Sequence, residues 1–255
     1  MPELKRDLSL YGLTMIVIGT LIGSGIFLTP SQIAGHVSSP GLIFLVWGLG
    51  GLIALAGAFS LAELGSMFPQ AGGVYIYLKE AYGPLAAFLF GWSSFTVVMT
   101  GVIAALAVAC SDYLSFLIPM NGFTKKTAAI LIILILTLIN ILRVKVAEIF
   151  TNAFSGLKLA GIALVIFAGL AWKTEGAAGA VLKDSAQAAP AHGLAAGVGL
   201  ALIGVLWSYG GWQHVSYLAG EARNPQRHIP LAVIIGVTTV FSIYILTNIS
   251  YMRLM

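Results

Sequence analysis

The stretch GTLIGSGIF, residues 19–27, stands in the middle of an apolar run that begins near Leu10. Gly19, Gly23 and Gly25 fall at a depth where a membrane-crossing helix should be unbroken. Each interior glycine costs about 1 kcal/mol of helix stability relative to alanine, so the cluster predicts an unwound segment. Free N–H and C=O groups at membrane depth persist only where they line a protein cavity. A glycine-interrupted hydrophobic segment therefore points to a binding site for a small polar solute that crosses the bilayer.

The rest of the chain agrees. Hydrophobic residues make up 59% of it, charged residues 9%, and the mean hydropathy is +0.97, a balance foreign to soluble globular domains. Seven apolar runs are long enough to cross a hydrocarbon core: residues 10–37, 41–67, 85–113, 127–142, 146–172, 194–219 and 231–252. The 13 Lys and Arg are scattered singly or in pairs, which argues against nucleic acid and for topology signals. With the start inside, the inner face collects Lys5, Arg6, Lys79, Arg143, Lys145, Arg223 and Arg227, and the outer loops Lys125, Lys126, Lys173 and Lys183. Seven against four predicts a cytoplasmic N-terminus in a multi-pass protein of the cell membrane. The start, MPELKRDLSLYG, has no small-residue cleavage site and reads as an uncleaved cytoplasmic end. A lone cysteine, Cys110, excludes a disulfide within the chain and reads as a small core residue.

Between the spans, FPQAGGVYIYLKEAYGP (68–84) reads as an interfacial loop or short helix, and 173–192 as an aqueous loop. Glu63, near the end of the second span, is either a structural partner for polar backbone or part of a proton path. The sixth span is interrupted by WSYGGW (207–212). Broken spans 1 and 6 stand five helices apart, and a repeat with an odd number of spans is inverted relative to its partner, so the two breaks are expected to face each other at the midplane.

The chemistry of such a site follows from the backbone. The half-helix that begins after Gly25 offers unpaired N–H groups and the positive end of its dipole, suited to a carboxylate, so that Gly25 and Ile26 are expected to bind substrate; Ser24 adds a hydroxyl. Hydrogen bonds to a charged group are worth about 1.5–3 kcal/mol each, so two or three can hold an anion against its desolvation. Carbonyls freed at Leu21, Trp207 and Gly210 suit an ammonium. Donors on one side and acceptors on the other match a free α-amino acid. The competing reading is helix packing, since Gly19 and Gly23 also fit a GxxxG contact. A dinucleotide site fails because no strand precedes the glycines. His36, His192, His214 and His228 are not at ligand spacing, so neither metal nor cofactor is expected. No Ser/His/Asp constellation lies at membrane depth, so catalytic residues are not expected and a transporter is favoured over a membrane enzyme.

These residues resemble the amino acid/polyamine/organocation transporters, and within them the L-type amino-acid transporter branch. The motifs are GSGIF (23–27), FPQAGGVYIYLKEAYG (68–83), Gly91 and Trp92, WSYGGW (207–212) and GEARNPQRHIP (220–230), in that order over almost the whole chain. The resemblance implies an all-α integral membrane protein with a LeuT-like inverted-repeat fold. Its helices 1 and 6 are discontinuous, and it works by alternating access. It also implies Ser24 and Gly25 at the substrate carboxylate, Leu21, Trp207 and Gly210 carbonyls at the amine, and the Trp207 ring as a lid. The chain departs from many L-type members at Trp207, where they carry phenylalanine, and at Gln213, where they carry asparagine. Sodium-independent members carry a lysine in span 5 at the place of Lys158. Its ammonium is thereby expected near the carbonyls of residues 19–21; the plainer alternative is a side chain snorkelling to the interface.

Ten core helices need on the order of 350 residues. The expectation is thus seven of the family's ten to twelve helices in one polytopic domain, with residues 1–172 as the first repeat and 173–255 as the start of the second. The function implied is sodium-independent exchange of amino acids, with a proton-coupled amino-acid or polyamine permease, or a non-transporting fragment, as alternatives. The partners expected are an amino acid and the bilayer; a second copy or another subunit stays open.

Overall fold

The computed structural model describes residues 6–37, 39–142, 144–171 and 193–254, at 142 and 144–152 through the backbone alone. The loop expected at 173–192, with Lys173 and Lys183, and Arg143 lie outside the described residues. The helices are α1 (Leu10–Leu21), α2 (Gly25–His36), α3 (Pro40–Met67), α4 (Val74–Tyr82), α5 (Pro84–Ser93), α6 (Thr100–Leu117), α7 (Gly122–Leu142), α8 (Val144–Ala171), α9 (Leu194–Ser208) and α10 (Pro225–Leu254). A π-helical turn, Ser94–Met99, joins α5 to α6, and a 3-10 helix, Trp212–Glu221, follows α9. Among the described residues six helices are long and apolar enough to cross a membrane, and α1 with α2, bent by 42° at their break, makes a seventh. The chain is an all-α, multi-pass membrane protein.

Two compact units divide it: Met1–Tyr77 with Ala160–Met255, and Leu78–Leu159. In the first, α10 is packed by α3 and α1, and α9 lies against α2 and α3. Lipid tails are as apolar as leucine, so close packing rather than hydrophobic burial must hold these helices together. Gly50 and Gly51 accordingly leave room on α3 for Val205 and Phe241. Trp47, Tyr209 and Tyr244 are all but inaccessible to solvent and meet edge-on or tilted, with ring centroids 5.1–5.8 Å apart. In the second unit α6 and α7 form a hairpin, pinned near its turn by Lys125 Nζ, 2.9 Å from Asp112 Oδ1. The π turn leaves carbonyls out of register, and Thr96 and Thr100 hydroxyls donate to Trp92 O and Thr96 O at 2.7 Å. Cys110, expected in a core, is exposed on α6, where a thiol on an apolar face serves as a small apolar group.

Three further details differ from expectation. The last span starts at Pro225 rather than near 231. A proline is tolerated in a first helical turn, and Asn224 O accepts the N–H groups of Arg227 (3.2 Å) and His228 (2.7 Å), so the charged segment enters the helix. The third span contains the π turn. The half of the sixth span after its break is 3-10 rather than α.

Ahead of α1, Leu8 pairs in parallel with Ala222: Leu8 N–H donates to Glu221 O and Arg223 N–H to Leu8 O, both at 3.0 Å. This backbone clasp ties the entry of α1 to the exit of the 3-10 helix. Leu8→Pro removes one donor. It is expected to raise tryptic cleavage at Arg6 about fivefold in the detergent-solubilised chain, the effect of one lost hydrogen bond; unchanged cleavage would show that the clasp restrains nothing.

Candidate functional site

The two helix breaks lie within the first unit and face each other. At the first, Ile22 N–H still reaches Ile18 O and Gly23 N–H folds back on Leu21 O, both at 2.9 Å. At the second, Gly210 N–H returns to Trp207 O (3.1 Å) and Gly211 adopts a φ of 121°, which L side chains rarely take. A Cβ on Gly211 would also stand 2.7 Å from the Thr20 carbonyl oxygen, and one on Gly25 would stand 2.6 Å from Ser208 Cα. The breaks therefore touch backbone to backbone. α2 packs on α9 and α1 on the 3-10 helix, so the second half of each broken span lies beside the first half of the other. That is the pairing of spans running in opposite directions.

Three hydroxyls tie the crossing. Thr29 Oγ1 and Ser208 Oγ are 2.8 Å apart, one donating to the other, with Gly25 O and Gly204 O as further acceptors at 2.9 Å. Tyr244 Oη, on α10, donates toward Leu21 O (2.9 Å) and Ser208 O (3.1 Å), one carbonyl from each break.

What remains unsatisfied is informative. Among the described residues no acceptor meets the N–H of Ser24, Gly25 or Ile26, whereas Ser24 O already accepts from Phe27 and Leu28 at 3.1 and 3.0 Å. The turn is a row of three donors at the positive end of a 12-residue helix. Of the carbonyls expected for an amine, Leu21 O accepts from Gly23 and Tyr244 and has both lone pairs engaged; Trp207 O is met by the N–H groups of both Gly210 and Tyr209; Gly210 O has no donor among the described residues. Gly23 and Gly210 are exposed, Ser24 is half-buried, Gly25 and Ile26 are buried, and Trp207 is 47% exposed. Glu63 is exposed near the end of α3, and Lys158 is half-buried in α8, within the second unit. The GxxxG alternative needs a close approach at these glycines, but a Cβ on Gly19 would meet nothing within 4 Å, and one on Gly23 only Leu21 O.

Paired breaks in apolar spans, with open N–H groups at one and an open carbonyl at the other, define a polytopic membrane protein with polar backbone freed inside two of its spans. A family model for amino acid permeases matches residues 8–255. The chain belongs to the amino acid permease family. It is 36% identical to the human b(0,+)-type amino acid transporter 1, over 99% of this chain and 52% of that protein. It is 31% identical to the serine/threonine exchanger SteT of Bacillus subtilis (99% and 56%) and 30% identical to the human Asc-type amino acid transporter 1 (99% and 49%). The chain thus spans about half the length of these relatives.

Sequence reasoning passed over Thr29, Ser208 and Tyr244, which join the breaks. A signal was available: residues 244–251, YILTNISY, carry five polar side chains within one apolar span, and polar groups at membrane depth turn inward to partners.

Proposed function

We propose that this chain carries the substrate site of a secondary active amino-acid transporter of the cell membrane, an exchanger that works by alternating access without sodium. The single observation that carries the reading is the row of open N–H groups at Ser24, Gly25 and Ile26, across the crossing from the open carbonyl of Gly210. In this reading the substrate carboxylate binds the three N–H groups and the Ser24 hydroxyl. The α-ammonium binds Gly210 O beside the carbonyl of Trp207, and Leu21 O serves as the anchor for Tyr244. The Trp207 ring closes over the side chain. Residues 1–172 form the first repeat and 173–255 begin the second, inverted one, a reading supported by the crosswise packing of the half-spans. The N-terminus is cytoplasmic, following the seven-to-four excess of Lys and Arg. A relative named as an exchanger supports exchange. Lys158 is assigned the place of a coupling cation, which makes uptake indifferent to sodium; Glu63 is structural.

The test is uptake of labelled L-serine, L-leucine and L-arginine by proteoliposomes carrying the chain, in sodium and in choline buffers, preloaded or empty. Counterflow that is equal in both buffers and absent with the amino acid amides is expected. Sodium-stimulated uptake would reject the assignment of Lys158, and equal handling of acids and amides would reject the carboxylate site. Binding without flux would assign the chain the holding of substrate but not its translocation.

A further inference from the structure

Pro30 lies inside α2 and has no N–H, so the carbonyl four residues earlier, that of Ile26, loses its usual intrahelical donor. Ile26 is fully buried, and a buried carbonyl without a partner is costly. The Tyr251 hydroxyl, on α10, reaches Ile26 O at 3.4 Å. The same helix carries Tyr244, whose hydroxyl holds Leu21 O. Seven residues separate the two tyrosines in sequence, about two helical turns or 10 Å along one face. One face of α10 therefore grips the first break on both flanks, at the last residue of α1 and in the first turn of α2.

We propose that Tyr251 is a positioning residue for the substrate carboxylate. Its hydroxyl supplies the donor that Pro30 withholds and thereby sets the direction in which the first turn of α2 aims its N–H groups. The reasoning is geometric. Ser24 O is held by Phe27 and Leu28, Gly25 O has Thr29 Oγ1 at 2.9 Å, and Ile26 O has Tyr251. Every carbonyl of that turn is engaged, while the N–H groups of Ser24, Gly25 and Ile26 are left open. The peptide plane that carries Ile26 O also carries the Phe27 N–H, which donates to Ser24 O, and the Ser24 carbonyl in turn shares its plane with the open Gly25 N–H, so anchoring Ile26 O steadies the row through that bond. If Ile26 O lost its external partner, the turn would tighten or rotate toward another donor, and the N–H row would turn with it. The proline is what makes the outside partner necessary, and it couples the aim of the anion-binding turn to α10.

The proposal rests on the carboxylate site proposed above, and the experiment separates the two. Purified chain in nanodiscs is assayed for binding of L-serine, L-leucine and L-arginine and of their amides, for wild type, Tyr251→Phe, Pro30→Ala and the double variant. Tyr251→Phe keeps the ring and is expected to weaken binding of the acids about tenfold while the amides change less than about threefold. Pro30→Ala restores an N–H to the helix. The double variant should therefore bind within about threefold of Pro30→Ala alone. Equal weakening of acids and amides, no weakening, or no rescue by Pro30→Ala would overturn the positioning role. A wild type that binds none of the six probes would overturn the functional reading, and the positioning role with it. Melting temperatures measured without amino acid report the hydroxyl's bond separately, lowered in Tyr251→Phe and recovered in the double variant.

Discussion

Gly25→Ala is expected to abolish amino-acid binding, whereas Gly19→Ala, six residues earlier in the same span, leaves it intact. An alanine Cβ at 25 would stand 2.6 Å from Ser208 Cα and 2.7 Å from Ser208 Oγ. The nearest obstacle is backbone, so no rotamer change relieves it and α2 must part from α9. Such overpacking costs about 1–3 kcal/mol. It also separates Thr29 from Ser208 and turns the N–H row away from its ligand. Losing two hydrogen bonds to a charged carboxylate, at about 1.5–3 kcal/mol each, amounts to at least about a hundredfold in affinity. At Gly19 the added methyl meets nothing within 4 Å. Binding of an L-amino acid to both variants, alongside their melting temperatures, checks this. Near-normal affinity in Gly25→Ala would remove the close backbone crossing from any account of the site.

Tyr244→Phe is the second large effect expected. The ring is fully buried and packs against Trp47 and Tyr209, contacts that phenylalanine retains. What disappears is one hydroxyl serving two buried carbonyls, Leu21 O and Ser208 O, from opposite breaks. Leaving buried acceptors short of a donor costs about 1–3 kcal/mol. The variant should therefore melt at a lower temperature and bind substrate about tenfold more weakly or worse. Tyr244→Ala would add a cavity and confuse the outcome, so the phenylalanine variant is the informative one. An unchanged melting temperature and affinity would mean that the crossing is held by Gly25, Ser208 and Thr29 without help from α10.

Much of this organisation was legible in the chain itself, because a bilayer permits few solutions. Runs of about 20 apolar residues must be helices, and GTLIGSGIF and WSYGGW had to be breaks because glycines cluster where lipid demands an unbroken hydrogen-bond ladder. The first span breaks at residues 22–24 and the sixth at 209–211, inside the expected stretches. The short helix at Val74–Tyr82 likewise follows the reading of its loop.

Tertiary packing decided the rest. Which carbonyls stay open depends on donors far away in sequence: Leu21 O looked free beside its own break, yet Tyr244, 223 residues on, engages it. Gly25 reads locally as a helix breaker, and only the approach of Ser208 makes it a position without room for a methyl group. Pro30 reads as a kink, and only the placement of Tyr251 turns its missing N–H into a link between helices. Backbone propensity and lipid exclusion act over a few residues and are written in the sequence. The satisfaction of a buried polar group is a contact between segments, and it exists only once the helices have packed.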